Sequence, residues 1–370
     1  MNGDRSAPVV LFAVLDWGMG HATRSAPWIE AALSAGLRVH VASGGTALAW
    51  LRSHFVGQGV TFHEKPGAVI SYARRGTLLR IAAQMPGFLR SVREEGRWTA
   101  QLVRSEGITH ILSDNCYGVR APGVRSVLVT HQLHLPVPAL LRPWARRVVR
   151  GWCAGFEEVW VPDVEAGWGW SGRLSRPALH PVTRYVGVIS RLAASAPASS
   201  HLDLDPDWAG GAFGTVAMIS GPEPHRTLME EGLREGLQRR GAPALLIVGR
   251  PEGGSRIDGC VTTWYNPPTP ALKAALLQAR CRICRAGYST VLDLAALGLR
   301  AHLVPTPGQP EQTYLARFLA RAYGWTELDQ KGLHWGVWPE ASGPISAAID
   351  PIDPYPNATA HSTFQNWLQR

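Results

Sequence analysis

The chain has 370 residues, of which 45% are hydrophobic and 18% are charged. This composition excludes wholesale disorder, and the length suits two domains of roughly 150–200 residues each. No apolar run approaches the roughly 18 residues of a membrane-spanning helix, which argues against an integral membrane protein. The 37 Lys and Arg residues outnumber the 28 Asp and Glu residues, and the formal net charge of +9 favours anionic partners.

Cysteine usage and the first apolar segment bear on location. Five cysteines in a chain of this length do not suggest a disulfide framework and favour a reducing compartment. The run Ala7–Leu15 has no small-residue cleavage site after it and is typical of a buried strand rather than a signal peptide. We therefore expect a cytoplasmic protein, with peripheral attachment to the inner face of the membrane as an open alternative.

Strand and helix patterns alternate along the first half of the chain. Pro8–Leu15 is a continuous apolar run, as expected of a strand covered on both faces. Asp16–Gly20 is predicted to be a tight loop, and a helix is predicted over about Ala22–Ser34. Further strands are predicted over 37–42, 108–113, 126–130, 159–162 and 185–188, with a long basic amphipathic helix over 77–105.

The composition changes at Leu192–Gly211, which is rich in Ala, Ser, Pro and Gly and predicts a domain boundary. Strands then recur at 214–219, 244–248, 282–284 and 301–304, separated by helices. This alternation predicts two tandem doubly wound, Rossmann-like α/β domains facing a cleft. We assign 1–195 to an N-terminal domain, 196–356 to a C-terminal domain, and 357–370 to a helix that packs back across the cleft.

The densest motif of the second half follows the strand that ends at Cys284. Arg285 supplies a cation, Gly287 makes a turn, and Ser289 and Thr290 lie in the first turn of the next helix. Unpaired N–H groups and the positive end of that helix favour an anionic diphosphate. Asp293, one turn further on, could accept both hydroxyls of a ribose, although Thr290-x-x-Asp293 is also a capping-box pattern.

The motif Arg-x-Gly-x-x-Thr-Val-x-acid, followed by Gly-x-x-Ala-x-x-Val-Pro and a Gln-rich helix start, resembles the donor site of GT-B glycosyltransferases. The resemblance is to the family 28 type, which includes the peptidoglycan lipid-intermediate N-acetylglucosaminyltransferase. It implies that Asp293 holds the donor ribose, where the family usually has Glu, and that Gln309 and Gln312 face the donor sugar.

The same resemblance extends to other parts of the second half. Ser220 and Gly221 match the Gly/Ser-rich diphosphate loop, although Pro222 and Pro224 remove two possible N–H donors, for which Arg226 would compensate. Tyr265 lies where the family places the strand end that binds the base. Its alternative is an ordinary core aromatic at the end of a strand.

In the first half, a glycine-rich loop ending in His follows the first strand and resembles the loop that the family places against diphosphate and acceptor. It contains Gly18, Gly20 and His21, and it lacks the third glycine of a dinucleotide fingerprint, which argues against NAD or FAD. A neutral imidazole at His21 could take a proton from an attacking hydroxyl. The alternative is a histidine that caps the loop or binds phosphate.

Two more polar clusters follow later strands of the first half and align loosely with acceptor-side segments of the family. In one cluster Asp114 is the alternative general base, and Asn115 is a candidate acceptor contact. In the other cluster His131 could orient the acceptor. Each of these residues could also be a helix cap or part of a turn.

Two stretches combine Arg with apolar residues: 74–90, which includes Arg74 and Arg75, and 140–150, which includes Trp144. Basic amphipathic segments with Trp can lie on anionic membranes. The alternative is a solvated Arg face over an ordinary core. The Arg residues are dispersed and no nucleic-acid-binding module is recognisable, so nucleic acid is not an expected partner.

The resemblance implies an inverting glycosyltransferase that uses a nucleotide diphosphate-sugar, with UDP as the expected nucleotide. It makes 1–195 the acceptor-binding domain and 196–356 the nucleotide-sugar-binding domain. No cofactor and no metal are expected. The acceptor would be a small molecule, a glycan or a lipid-linked hydroxyl compound. Alternatives are a nucleotide-sugar epimerase or hydrolase, and a non-catalytic binding or scaffold protein of the same fold. The sequence does not indicate the sugar, the linkage or the oligomeric state.

Overall fold

The computed structural model describes residues 7–67, 77–193, 208, 213–249, 254–345, 350, 353 and 355–370, without the side chains of 77–86. The chain divides into two compact units. The first consists of Met1–Ile189 and Tyr355–Arg370, and the second of Ser190–Pro354. Most of the predicted boundary segment, 194–207 and 209–211, lies outside the described residues.

The first unit is built on a seven-stranded sheet. Its strands are β1 (Val9–Val14), β2 (Arg38–Ser43), β3 (Thr61–Glu64), β4 (His110–Asp114), β5 (Arg125–Val129), β6 (Glu158–Val161) and β7 (Thr183–Tyr185). Their order is β3-β2-β1-β4-β5-β6-β7, and all neighbours are parallel. Every residue of β1 is buried, as its unbroken apolar run predicts for a strand covered on both faces.

Four helices connect these strands: α1 (Met19–Ser34), α2 (Gly45–His54), α3 (Thr77–Glu106) and α4 (Arg142–Cys153). The first of them begins three residues earlier than the sequence pattern predicts. Gly18 is its N-cap and has a positive φ of 88°, which a side chain would disfavour. Gly20 and His21 consequently lie in the first turn of α1 instead of in the preceding loop or at its mouth.

The second unit repeats this architecture. Its strands are β8 (Thr215–Ile219), β9 (Ala244–Val248), β10 (Gly254–Asp258), β11 (Val261–Tyr265), β12 (Cys281–Arg285), β13 (His302–Val304) and β14 (Thr326–Glu327). Their order is β10-β11-β9-β8-β12-β13-β14, parallel except for the antiparallel pair β10–β11. Its helices are α5 (His225–Arg240), α6 (Thr269–Gln278), α7 (Tyr288–Ala296) and α8 (Pro310–Tyr323).

The chain ends in helix α9 (Ala358–Gln369), which belongs to the first unit. Its Phe364 and Trp367 are buried, with ring centroids 5.9 Å from Phe12 and 5.6 Å from Trp160, respectively. Large buried aromatic rings contribute strongly to core stability. The C-terminal helix therefore completes the core of the first unit.

Each of the two sheets has one topological switch point, where the strand order reverses. The order reverses between β1 and β4 in the first sheet and between β8 and β12 in the second. In open α/β sheets, ligands bind outside the carboxyl ends of the strands at this switch point. The segments that follow β1, β4, β8 and β12 are therefore the places to examine for function.

Candidate functional site

A histidine and a carboxylate meet at the switch point of the first sheet. His21 lies in the first turn of α1, directly after β1, and Asp114 is the last residue of β4. The Nδ1 atom of His21 is 2.9 Å from Oδ1 of Asp114. The His21 side chain is 15% exposed, whereas that of Asp114 is fully buried. Of the two groups, only the imidazole can reach a ligand in solvent.

Two further residues of α1 hold the same carboxylate. Arg24 is one helical turn after His21, and its Nε donates to Oδ2 of Asp114 at 3.2 Å while its Nη2 donates to Oδ1. Ser25 Oγ donates to Oδ2 at 3.2 Å. Burial raises the pKa of Asp114, but Arg24 and His21 outweigh this effect and hold its pKa well below its usual range. Asp114 is therefore ionised and fixed in place.

This arrangement bears on the tautomer of His21. Its Nδ1 lies between an acceptor, Asp114 Oδ1, and a donor, Arg24 Nη2, which is 3.0 Å away. An ionised carboxylate can only accept hydrogen bonds, so the hydrogen bond to Asp114 forms in the tautomer that has its proton on Nδ1 and its lone pair on Nε2. A carboxylate that orients an imidazole in this way is the arrangement that serves general-base catalysis in other enzymes.

The other residues predicted for the acceptor side occupy different positions around this pair. Asn115 has a positive φ of 54°, and its Oδ1 is buried without a hydrogen-bond partner in the described part of the chain. His131 is buried behind Arg24, with Nδ1 3.5 Å from Arg24 Nη1. Gly18 and Gly20 form the entry to α1. Of these four, Asn115 and the two glycines lie nearest in sequence to the His21–Asp114 pair.

In the second unit, Arg285 is the last residue of β12 and is only 1% exposed. Its guanidinium donates to three backbone carbonyl oxygens, those of Ser220 at 3.3 Å, His225 at 2.5 Å and Val304 at 3.3 Å. Burial lowers its pKa to about 10, so it stays charged at neutral pH. Arg285, the fixed cation that the sequence predicts beside the diphosphate, is thus a buried group that joins three segments at the switch point.

The loop after β8 presents an anion of its own at the start of α5. Glu223 accepts hydrogen bonds from the backbone N of Thr227 at 3.3 Å and from its hydroxyl at 2.9 Å. Arg226 Nη2 lies 2.6 Å from Glu223 Oε1. Burial raises the pKa of Glu223, but hydrogen bonds from Arg226 and Thr227 outweigh it and lower this pKa. Arg226, which the sequence analysis assigns to the diphosphate loop, is therefore paired with the carboxylate of Glu223.

The start of helix α7 differs from that of α5. Gly287 is the N-cap, no side chain caps the helix, and its first turn contains no acidic residue. Ser289 and Thr290 lie in this turn and are partly buried. Thr290 is therefore not an N-cap, and the capping-box alternative for Asp293 does not apply. The N–H groups at the start of α7 remain suited to an anionic ligand.

Three further donor-side residues lie at the end of a strand or around the start of α8. Tyr265 ends β11 and packs partly buried against the core of the second unit. Gln312 Oε1 accepts the backbone N–H of Thr306 at 2.8 Å and so supports the turn before α8. Gln309 is the N-cap residue of α8, and its side-chain amide makes no hydrogen bond to the described residues.

Two absences concern the described residues only. No group of three or more His, Cys, Asp or Glu side chains among them is arranged to hold a metal ion. Likewise, none of the described helices is both long enough and apolar enough to cross a membrane.

Comparison with known proteins identifies the second unit. Residues 264–335 match the model of the glycosyltransferase family 28 C-terminal domain. This part of the second unit is therefore similar to family 28 glycosyltransferases. The matched segment includes the predicted donor-side residues from Tyr265 to Gln312, while Ser220, Gly221 and Arg226 precede it.

A curated relative and two solved structures extend the similarity. The chain is 29% identical over 160 residues to the UDP-N-acetylglucosamine–N-acetylmuramyl-(pentapeptide) pyrophosphoryl-undecaprenol N-acetylglucosamine transferase of Streptomyces collinus, covering 42% of this chain and 43% of that relative. Its fold is similar to the spinosyn rhamnosyltransferase SpnG complexed with thymidine diphosphate, with TM-score 0.58, 14% identity and 89% of each chain covered. It is also similar to Acinetobacter baumannii MurG, with TM-score 0.53, 15% identity, and 99% and 100% coverage.

These findings confirm the resemblance to family 28 glycosyltransferases and the predicted fold class of two doubly wound α/β domains of the GT-B type. The sequence interpretation missed Arg24 and Ser25 as partners of Asp114. A signal was present for Arg24, because a residue three positions after His21 lies on the same helical face. Glu223 was also missed, because this segment was interpreted only through the N–H donors that Pro222 and Pro224 lack.

Proposed function

We propose that this protein is an inverting, metal-independent glycosyltransferase that moves a sugar from UDP to a hydroxyl acceptor. The observation that carries the proposal is the family 28 match, which coincides with the uncapped start of α7 at the switch point of the second sheet. A second support is the His21–Asp114 pair at the corresponding edge of the first sheet.

In the proposed reaction, His21 Nε2 accepts the proton of the acceptor hydroxyl. The acceptor oxygen then forms a bond to the anomeric carbon, and the bond from that carbon to the diphosphate oxygen breaks with its electrons leaving on UDP. Attack from the face opposite the leaving group inverts the anomeric configuration. Asp114 stays ionised and stabilises the imidazolium, as its buried contacts with Arg24 and Ser25 allow.

The leaving diphosphate gains negative charge as the bond breaks. Backbone N–H groups at the start of α7, with the hydroxyls of Ser289 and Thr290, would stabilise it there. Arg285 would act as a positioning residue that holds Ser220 and the start of α5 in place. Asp293 would accept the ribose hydroxyls, Gln309 and Gln312 would contact the sugar, and Tyr265 the base.

The choice of UDP follows from the curated relative, whose name specifies a UDP-linked donor. The experiment that tests the function is an assay of UDP release from UDP-N-acetylglucosamine and other UDP-sugars, with and without candidate hydroxyl acceptors. Acceptor-dependent release with a new glycoside as product supports the proposal. Release or epimerisation without an acceptor indicates an epimerase or hydrolase, and binding without turnover indicates a scaffold.

Replacement of Glu223 by Gln is predicted to strengthen UDP binding. The carboxylate of Glu223 pairs with Arg226 and takes the N–H of Thr227 at the start of α5. Its removal frees a cation and eliminates a repulsive charge beside the loop predicted to hold the diphosphate. Since Glu223 is exposed and screened, we expect the Kd for UDP to fall by only about threefold to tenfold in low salt, measured by calorimetry.

Glu235→Gln is the matched control, because Glu235 pairs with Arg239 on the same helix at 2.8 Å. It is expected to leave the Kd unchanged. High salt should reduce the difference between Glu223→Gln and the wild type. Unchanged or weaker UDP binding by Glu223→Gln in low salt would show that the diphosphate does not lie near this loop.

The amphipathic start of α4 is predicted to bind anionic membranes. Leu140 is 90% exposed and Trp144 is 55% exposed, while Ala145 and Val149 face the core. Arg142, Arg146, Arg147 and Arg150 are exposed around them. We expect sedimentation with phosphatidylglycerol vesicles at low salt and release at high salt. Arg74 and Arg75 of the other predicted membrane segment lie outside the described residues.

Trp144→Ser should reduce the bound fraction several-fold at a fixed vesicle concentration, because the indole contributes apolar area to insertion. Trp335→Ser is the control, since Trp335 is an equally exposed tryptophan (61%) of the second unit. Equal sedimentation of both variants and the wild type would place the contact elsewhere, and no sedimentation at low salt would refute membrane binding.

A further inference from the structure

The segment that leaves the first unit meets the carboxylate assigned to the donor ribose. The first unit ends at Ile189, and the next residue, Ser190, is fully buried. Ser190 Oγ donates a hydrogen bond to Asp293 Oδ1 at 2.5 Å and accepts one from the backbone N of Leu192 at 3.0 Å. The N–H group of Leu192 therefore orients the Ser190 hydroxyl, and the hydroxyl donates to the Asp293 carboxylate.

Arg191 adds a positive charge at the same place. Burial raises the pKa of Asp293, while the charge of Arg191 and the hydrogen bond from Ser190 lower it. Burial in turn lowers the pKa of Arg191, and Asp293 raises it. Ser190 and Arg191 thus favour the ionised form of the Asp293 side chain, whereas its burial favours the neutral acid.

The hydrogen bond between Ser190 and Asp293 does not cap helix α7, on which Asp293 lies. Helix α7 begins at Tyr288 and has no side-chain cap, so Asp293 stands in its second turn and does not satisfy its N-terminal N–H groups. Among the described residues, its Oδ2 atom accepts no hydrogen bond, and Oδ1 accepts the one from Ser190. A carboxylate held on one side only is well suited to accept ribose hydroxyls on the other.

We propose that Ser190 is a positioning residue that orients the Asp293 carboxylate for the donor ribose, with Arg191 as the charged residue next to it in the chain, so that donor affinity depends on the segment connecting the two units. This inference rests on the proposed function, because it takes Asp293 as the ribose ligand. It adds a requirement on two residues that precede the family 28 match by more than 70 positions.

The test compares UDP with 2′-deoxy-UDP as calorimetric probes of the full chain. Wild-type protein is expected to bind UDP about fivefold to tenfold more tightly, since one hydroxyl bond to the carboxylate is lost with the deoxy compound. Ser190→Ala should weaken UDP binding by a similar factor and bring the ratio of the two affinities close to one. Ser190→Thr, which keeps the hydroxyl, should restore most of the ratio.

The pH dependence gives a readout that a merely structural role would not change. Loss of the Ser190 hydrogen bond raises the pKa of Asp293 further, so the pH below which UDP affinity is lost should shift upward in Ser190→Ala and in Arg191→Gln. In an Asp293→Asn background, Ser190→Ala should have no additional effect. Ser175→Ala, a buried serine of the first unit bonded to Ser171, is the control for a lost buried hydroxyl.

Two failures are distinguishable. Unchanged affinity ratios and pH profiles in both Ser190→Ala and Arg191→Gln overturn this inference while UDP binding by the wild type upholds the donor site. If Ser190→Ala does not fold, Arg191→Gln and Ser190→Thr decide the matter by the same measurements. Absence of UDP binding by the wild type overturns the proposed donor itself.

Discussion

Replacement of His21 by alanine is expected to lower kcat by about 100- to 10,000-fold, the usual contribution of a positioned general base. The imidazole is the one group of the His21–Asp114 pair that solvent reaches, and its Nδ1 lies 2.9 Å from the carboxylate. Because UDP is assigned to the other unit, the Kd for UDP should stay within about twofold. Initial rates with saturating donor and acceptor, together with calorimetry, measure both quantities.

Asp114→Asn tests whether the carboxylate works through the imidazole. It should also reduce kcat by about 100-fold or more, since an amide neither fixes the tautomer nor balances Arg24. Adding Asp114→Asn to His21→Ala should cost little further activity, because the two residues act as a unit.

His54→Ala provides the matched control for His21→Ala. His54 also contacts a carboxylate, with Nε2 3.2 Å from Glu30 Oε1, but it lies at the end of α2 away from the carboxyl edge of the sheet. Its kcat should match the wild type. A His21→Ala enzyme with nearly full kcat would remove His21 as the base.

The second large effect is expected at Arg285. Alanine at this position removes the donor to the carbonyl groups of Ser220, His225 and Val304, and the contacts with His225 and Val304 are buried. Each unsatisfied buried group costs about 1–3 kcal/mol, so the free energy of unfolding should fall by on the order of 3 kcal/mol or more. Urea denaturation of the wild type and the variant measures this loss.

A positioning role and a direct phosphate contact predict different results for Arg285. If Arg285 holds the loop after β8, UDP affinity and the free energy of unfolding fall together in Arg285→Ala. Arg285→Lys should restore neither quantity, because a lysine cannot span three carbonyl groups. Arg282→Ala is the control: it removes a buried guanidinium from the same strand, bonded to Leu276 O at 2.7 Å, and should lower stability with less effect on UDP. Normal stability of Arg285→Ala with weak UDP binding would instead indicate direct contact.

The sequence predicted most of the sheet and helix order because its buried strands are continuous apolar runs and its turns carry Gly and Pro. It did not predict β10, whose residues Gly254–Asp258 are mostly polar and largely exposed at the sheet edge. It also placed the start of α1 too late. A glycine with positive φ precedes that helix, and propensity alone does not distinguish it from a loop.

The sequence indicated which segments of the first sheet would meet, but it did not indicate which of their side chains would be buried. Parallel strands bring their carboxyl ends to one edge, so residues after β1 and β4, 93 positions apart, could be expected to meet. Which side chain is buried cannot be deduced from that rule. Arg285 was expected beside the diphosphate and Asp114 was an alternative base, but packing buries both side chains.

The measurement that tests the central claim most directly is a thermal-shift screen of the purified protein against UDP, GDP, dTDP, CDP, ADP and NAD and their sugar conjugates. A ligand at about 100 times its Kd adds roughly 2.7 kcal/mol to folding, which raises Tm by several degrees. We predict a selective rise with UDP and UDP-sugars that Asp293→Ala abolishes. No shift with any nucleotide, or a shift that Asp293→Ala retains in full, would contradict the assignment of the second unit as the donor site.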